Sequence, residues 1–415
     1  MTNSPDQIAP PPKGQTEPVL WLKRGEERRL RAGHLWVFSN EIDVGRSPLT
    51  AFEPGDEAEI RDHKGKTIGR GYVNPHSLIC ARLVSRDARQ SLSRSLLVHR
   101  LKVALSLRQR LFERPYYRLI YGESDALPGL VVDRFGDTCV AQINTAGMER
   151  RKADIVEALT KTVKARHILL RGDSPFRTLE GLESYVEWAG DPGPELLTVE
   201  ENGARYKVSA TGGQKTGWYY DHRMNRARLC RYAPGRRVLD VFSYVGAWSI
   251  PAALAGASQV TAVDSSAAAL DRLAQNGADN KVGDRIETLR GDAAQILPRL
   301  REARERFDII VVDPPAFIKR KKDYKQGLAA YRQLNQAALQ LLTRDGLLVT
   351  SSCSSHLAEP DFVRELLAAA RHLDRSLQIV EFGQQGPDHP VHPAIPETRY
   401  IKTVFARVLP ASSNP

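Results

Sequence analysis

The chain has 415 residues, 41% of them hydrophobic and 26% charged, with a formal net charge of +11. That length exceeds what one hydrophobic core serves, so two or three domains are expected, and no apolar run is long enough for a membrane-spanning helix. The positive charge favours a polyanionic partner, because Lys and Arg that neutralise phosphates release counterions and drive association.

Residues 1–18, MTNSPDQIAPPPKGQTEP, read as a flexible tail, with neither a signal nor a transit pattern. Cys80, Cys139, Cys230 and Cys353 lie far apart with no CxxC pair, which speaks against a zinc site or a disulfide framework and for a reduced, cytoplasmic setting. No metal is expected.

From 19 to 88, short apolar runs broken by turn residues, with alternation in DEAEIRD and a turn at DHKGK, predict a small antiparallel β-barrel. Lys23, Arg24, Arg28, Arg29 and Arg31 crowd its first part around Trp21 and Trp36. On their own they suit a solvated face over core tryptophans. From 89 to 200 a helix over SLLVHRLKVALSLRQRLFER, a hairpin turning near Gly136, a helix over ADIVEALTKTVK and a strand at HILLRGD predict a central α+β domain without a recognisable catalytic constellation.

From 201 to 415 the pattern becomes alternating strands and helices: RRVLDVFS, SIPAALAGA, QVTAVD, SAAALDRLAQNGADN, RIETLRGD, FDIIVVDPP, LAAYRQLNQAALQLLT and GLLVTSSCS. Such βα units imply a doubly wound, mostly parallel sheet, whose ligands bind at the carboxyl ends of the strands. Four of those ends carry an aspartate: Asp240, Asp264, Asp292 and Asp313. The turn holding Phe242, Tyr244 and Gly246 is not GxGxxG, so a dinucleotide pyrophosphate is poorly served. A carboxylate at the end of the second strand suits the two hydroxyls of a ribose, and Asp292 suits an adenine amino group. Each aspartate alone reads as a cap or turn residue; their order is what resembles the S-adenosylmethionine-binding motifs of class I methyltransferases.

VVDPPAF sets two prolines after a strand, a rigid edge for a flat base, and places Asp313 there. Cys353 follows another strand on the same edge, whereas Cys80 and Cys139 read as inert core residues. Carbon five of cytosine needs a thiolate at carbon six before it accepts a methyl group, which Cys353 can supply. Asp313, protonated or sharing a proton, would then hydrogen-bond the ring nitrogen or the amino group. DPP motifs also accompany methylation of purines, which needs no cysteine, and an RNA-binding ribosome-assembly factor without methyl transfer is a further alternative.

Taken together, LKRGEERRLRAGHLWVFSNEI, GESDALPGLVVDRFGD, GGQKTGWYYDHRMNR, LDVFSYVGAWS, VVDPPAF and SSCSSH resemble the RlmI-type 23S ribosomal RNA (cytosine-C5) methyltransferase family. The resemblance implies a PUA RNA-binding domain, a central α+β domain and a C-terminal class I methyltransferase domain. It also implies S-adenosylmethionine as cofactor, large-subunit ribosomal RNA as partner, and often a homodimer. Cys353 becomes the nucleophile, the segment Lys23 to Arg31 an RNA surface, and Lys215, Asp221 and Arg223 contacts to cofactor or RNA. The family's Cys-Tyr-Thr-Gly turn is here Ser243, Tyr244, Val245 and Gly246, so no polar contact is expected from Val245. GGQKTGWYYDHRMNR lacks the spacing of a phosphate-binding P-loop.

Overall fold

The computed structural model describes residues 18–213 and 216–411. Strands β1 (Val19–Trp21), β2 (Trp36–Phe38), β3 (Asp56–Arg61), β4 (Thr67–Val73) and β5 (Ile79–Ser85), with helix α1 (Glu27–Arg31), form the N-terminal unit. Its sheet runs β1-β3-β4-β5-β2 around Leu20, Leu22, Leu30, Val37, Ile42 and Ile60. The expected all-antiparallel arrangement is corrected at one edge, where β1 pairs parallel with β3. The tryptophans are not core residues either. The Arg46 guanidinium lies 3.3 Å from the ring centre of Trp21, and Trp36 donates its indole N–H to Glu123 at 2.8 Å.

In the central unit, β6 (Tyr116–Tyr121), β7 (Leu130–Phe135), β8 (Thr138–Ile143), β9 (His167–Arg171) and β10 (Val186–Trp188) form a sheet in the order β10-β9-β8-β7-β6. Helix α2 (Arg94–Leu111), capped by the Ser93 hydroxyl, packs with α4 (Lys152–Val163), which follows the short α3 (Ala146–Glu149); α5 (Pro175–Leu179) leads towards β10. Leu97, Leu101, Ile155 and Leu159 fill the core, and Tyr72 and Val84 of the first unit enter it too. Tyr72 also donates its hydroxyl to the Pro128 carbonyl, and Glu180 binds Arg82 and Asn74, so the two units share packing and polar contacts.

A hairpin of β11 (Leu196–Glu201) and β12 (Ala204–Ser209) crosses position 200 and packs with α6 (Arg223–Leu229) and the C-terminal core. The last sheet contains β13 (Arg237–Val241), β14 (Gln259–Asp264), β15 (Ile286–Arg290), β16 (Phe307–Val312), β17 (Leu342–Ser352), β18 (Arg375–Gly383) and β19 (Lys402–Pro410), in the order β15-β14-β13-β16-β17-β19-β18. Helices α7 (Ser249–Leu254), α8 (Ala267–Asp279), α9 (Ala293–Glu302), α10 (Tyr324–Leu341) and α11 (Glu359–Arg371) connect and cover it. Pairings from β15 to β17 are parallel; β19 enters antiparallel to both β17 and β18. Val238, Leu239, Val241, Ile310 and Val312 are buried, as parallel strands covered on both faces require. The strand order reverses between β13 and β16, and a crevice opens outside their carboxyl ends. No helix among the described residues is long and apolar enough to cross a membrane.

Candidate active site

The turn after β13 bends sharply. Phe242 has φ 68° and Tyr244 φ 50°, left-handed values that cost a bulky residue on the order of 1–3 kcal/mol each. Neighbouring groups hold them there: the Phe242 and Ser243 amides donate to the Val263 carbonyl, the Tyr244 amide donates to Asp264 Oδ2 at 2.9 Å, and the Gly246 amide donates to Ser243. Gly246 has φ +91°, and a Cβ there would stand 3.0 Å from Ile250 and Leu273. The second strand's aspartate therefore clamps the first strand's turn.

Along the strand ends, a cavity of about 1390 Å³ is lined by Phe242, Tyr244, Asp264, Asp292, Asp313 and Cys353 among others. Asp264 still has a lone pair on each oxygen, one bond going to Tyr244 and one to the Ser266 amide. Asp292 caps α9 through the Ala294 amide, so its cap role and its place on the cavity coexist. The Ser243 hydroxyl, also on the cavity wall, is buried without a hydrogen-bond partner among the described residues. Aromatic walls, two carboxylates and an unsatisfied hydroxyl fit a ligand with a flat base, a diol and a polar tail, as S-adenosylmethionine has.

At the far side, Asp313 Oδ2 accepts from the Trp248 indole N–H at 3.0 Å, and Oδ1 lies 3.4 Å from His222 Nε2. His222 Nδ1 lies 3.2 Å from the Asn225 amide nitrogen, whose own oxygen accepts from Arg228. Nδ1 is thus the acceptor, and the ring proton on Nε2 faces Asp313. Tyr219 stands edge-on to Tyr244 at 5.7 Å, and burial together with the charges of Asp221, Asp313 and Cys353 holds its hydroxyl far above its usual range. Pro314, Pro315 and Cys353 complete this end.

Not every residue singled out in the sequence reaches the cavity. Asp240 is fully buried beneath it, with Oδ2 accepting from the Ser249 hydroxyl at 2.6 Å, and Gly246 shapes the turn from behind. Arg223 is corrected as an RNA contact: it is buried, bound to the Tyr116 carbonyl and Glu201, so its guanidinium is used inside the fold. Asp221 is buried on the cavity wall and accepts from the Tyr400 hydroxyl. Lys23, Arg24 and Arg28 are exposed; Arg29 and Arg31 are tied to Glu41 and Asp62. Lys215 lies outside the described residues. Val245 is buried and offers only its carbonyl, to Asn276. Cys80 and Cys139 are buried, with thiols pushed up to about 12 by desolvation. Among the described residues no cluster suits a metal ion. Sequence reasoning missed His222, Trp248 and Tyr219, whose only signal was their place in segments next to the cofactor turn.

This fold and this cavity define a class I, S-adenosylmethionine-dependent methyltransferase architecture fused to an N-terminal PUA-like unit. The family model described as S-adenosylmethionine-dependent methyltransferase matches residues 149–402, and that of the PUA-like domain matches residues 20–86. Proteins named ribosomal RNA large subunit methyltransferase I are similar over most of the chain. The one from Citrobacter koseri is 37% identical, covering 94% of this chain and 99% of its own. That from Klebsiella pneumoniae is 38% identical, covering 94% and 98%. The chain belongs to the ribosomal RNA large subunit methyltransferase I family of S-adenosylmethionine-dependent methyltransferases. In three dimensions it resembles the crystal structure of SMU.776 complexed with SAH, at 20% identity and a TM-score of 0.80 over 94% of this chain and 100% of the other, a likeness of fold.

Proposed function

We propose that this chain methylates carbon five of a cytosine in large-subunit ribosomal RNA, using S-adenosylmethionine as methyl donor and Cys353 as nucleophile. One juxtaposition carries the reading: Cys353 and the Asp313-Pro314-Pro315 corner line the same cavity as Asp264 and Asp292. The names of its relatives, ribosomal RNA large subunit methyltransferase I, support the substrate class.

In this reading Asp264 holds the ribose diol, Asp292 the adenine amino group, and Tyr244 and Phe242 flank the ligand; Asp240 and Gly246 support the turn from below. S-adenosylmethionine supplies, when bound, an electrophilic methyl group on a sulfonium. The Cys353 thiolate adds to carbon six of the cytosine, forming a carbon–sulfur bond and moving the ring electrons towards carbon five as an enamine. Carbon five would then form its bond to the methyl group as the methyl–sulfonium bond breaks and its electron pair returns to sulfur. Loss of the carbon-five proton to solvent water returns its electron pair to the ring as the carbon five–carbon six double bond, the carbon–sulfur bond breaks, and Cys353 leaves as thiolate.

Asp313 already receives the indole N–H of Trp248 and faces the ring N–H of His222, so what it offers a base is a remaining lone pair. It therefore accepts from the cytosine amino group rather than donating to the ring. Pro314 and Pro315 have no backbone N–H, which leaves carbonyl acceptors for the same amino edge. A paired cytosine must be extruded to reach this depth, at a cost of a few kcal/mol that an exposed or single-stranded site avoids. The PUA-like unit, with Lys23, Arg24 and Arg28 exposed, holds the surrounding RNA.

The test is methyl transfer from labelled S-adenosylmethionine to unmodified 23S ribosomal RNA, followed by nucleoside digestion and mass spectrometry, with intact protein and Cys353→Ala. The expected result is 5-methylcytosine with the intact protein and none with the variant. A methylated purine formed by both would overturn the reading.

A further inference from the structure

Cys353 can act as a nucleophile only as thiolate, and an ordinary thiol is mostly protonated at neutral pH. Something positive must favour the anion. The last strand to enter the sheet brings such a group. Lys402 opens β19 directly across from Ser352, the final residue of β17, and its ammonium donates to the Ser354 carbonyl at 2.6 Å. The ammonium is thereby anchored to the backbone on the far side of Cys353, one residue beyond it, while its Cα pairs one residue before.

Lys402 is only 6% exposed, and no ion pair to a carboxylate is found for it among the described residues. Glu359, the carboxylate that acts on it, is already paired at 3.1 Å with Arg399, whose own charge disfavours the ammonium. A buried ammonium without a counter-charge is expensive unless an anion forms beside it. Burial pulls the Lys402 amine down to about 8, and the charge of Cys353 is the strongest influence in the opposite direction. Among the described residues the hydroxyls of Tyr331 on α10 and Tyr219 also face Cys353, both raised chiefly by burial.

Resting on the proposed role of Cys353, we infer that Lys402 is a positioning residue for the nucleophile: its ammonium, fixed on the Ser354 carbonyl, stabilises the Cys353 thiolate before the base is attacked and again when the thiolate is expelled. Lys402 keeps its proton throughout. The thiol proton goes to solvent before carbon–sulfur bond formation, and the electron pair it leaves on sulfur makes the bond to carbon six.

The inference is tested on the full chain by the rate of Cys353 carboxamidomethylation with iodoacetamide from pH 6 to 10. Peptide mass spectrometry separates the Cys353 peptide from those of Cys80, Cys139 and Cys230. Lys402→Gln keeps an N–H donor for the Ser354 carbonyl and removes the charge; Lys402→Arg keeps the charge. The expected outcome is a profile displaced upward by about one pH unit in Lys402→Gln, with alkylation about tenfold slower at pH 7, and a wild-type profile in Lys402→Arg. The same profile in wild type and Lys402→Gln overturns the inference, and the nucleophile reading stands if Cys353→Ala is still inactive. Methyl transfer by Cys353→Ala overturns both. If Lys402→Gln does not fold, Lys402→Arg decides: a wild-type profile and transfer rate support the role, and loss of both in a folded protein with intact S-adenosylmethionine binding refutes it.

Discussion

Asp240 is a carboxyl with no solvent, one hydroxyl partner and two acidic neighbours. Burial, reinforced by Asp313 and Asp264 and opposed by the Ser249 hydroxyl, pushes it up to about 7. The folded chain therefore binds this proton more tightly than the unfolded chain, in which an aspartate titrates near 4. Stability from this group is complete below about pH 4, falls as pH rises through about 7, and is lost above it, with an upper bound of about 4 kcal/mol. Asp240→Asn imitates the neutral acid and removes the dependence. Melting temperatures at pH 5.5 and pH 8 should show the wild type losing more than the variant; equal losses would mean that Asp240 does not titrate in this range. The other strand-end acids, and Cys353, were legible as candidates because the ends of parallel strands are identifiable from sequence. His222, Trp248 and Lys402 were not, since each owes its position to tertiary packing: a short 3-10 turn before α6, the entry to α7, and an antiparallel strand far along the chain. Arg223 was misjudged for the converse reason, because the acid that buries it, Glu201, lies on a distant hairpin.

The cofactor turn is where local conformation is spent on function. Phe242 and Tyr244 hold left-handed φ values because β14 supplies a carbonyl and a carboxylate to their amides, and Gly246 completes the bend against Ile250 and Leu273. Gly246→Ala adds a strained φ and a 3.0 Å contact to which the Ile250 and Leu273 side chains must give way, so about 1–3 kcal/mol of destabilisation is expected. Calorimetry should show S-adenosylmethionine binding at least fivefold weaker, alongside a lower melting temperature. Unchanged affinity would show that the turn does not shape the site. The βα order of this region could be read from sequence because strands covered on both faces are continuous apolar runs, as in VLDV and DIIVV. The N-terminal unit was harder. Three-residue strands such as β1 carry too little alternation to reveal a parallel partner, and tryptophans that bind a guanidinium or a carboxylate look like core residues until those partners are in place.

Across the whole molecule, the +11 charge is divided between residues consumed by the fold and residues left for a ligand. Arg108 is fully buried, binding Asp125 and the Asp388 carbonyl, and so joins the central unit to the C-terminal domain, while Arg118 binds Asp133 within the central sheet. Arg29 and Arg31 likewise serve the PUA-like unit. Arg24 and Arg28 are exposed, and no ion pair is found for either among the described residues. If they contact phosphates, reversing both charges in Arg24→Glu/Arg28→Glu removes two counterion-releasing contacts, each contributing about 0.7–0.9 to the slope of log affinity against log salt. The slope for a ribosomal RNA fragment should fall by about 1.5, and affinity at low salt by tenfold or more. Because neither residue stands on the cavity wall, KM for RNA should rise while kcat holds. A slope and KM equal to wild type would place the RNA on another face and leave the N-terminal cations as a solvated surface.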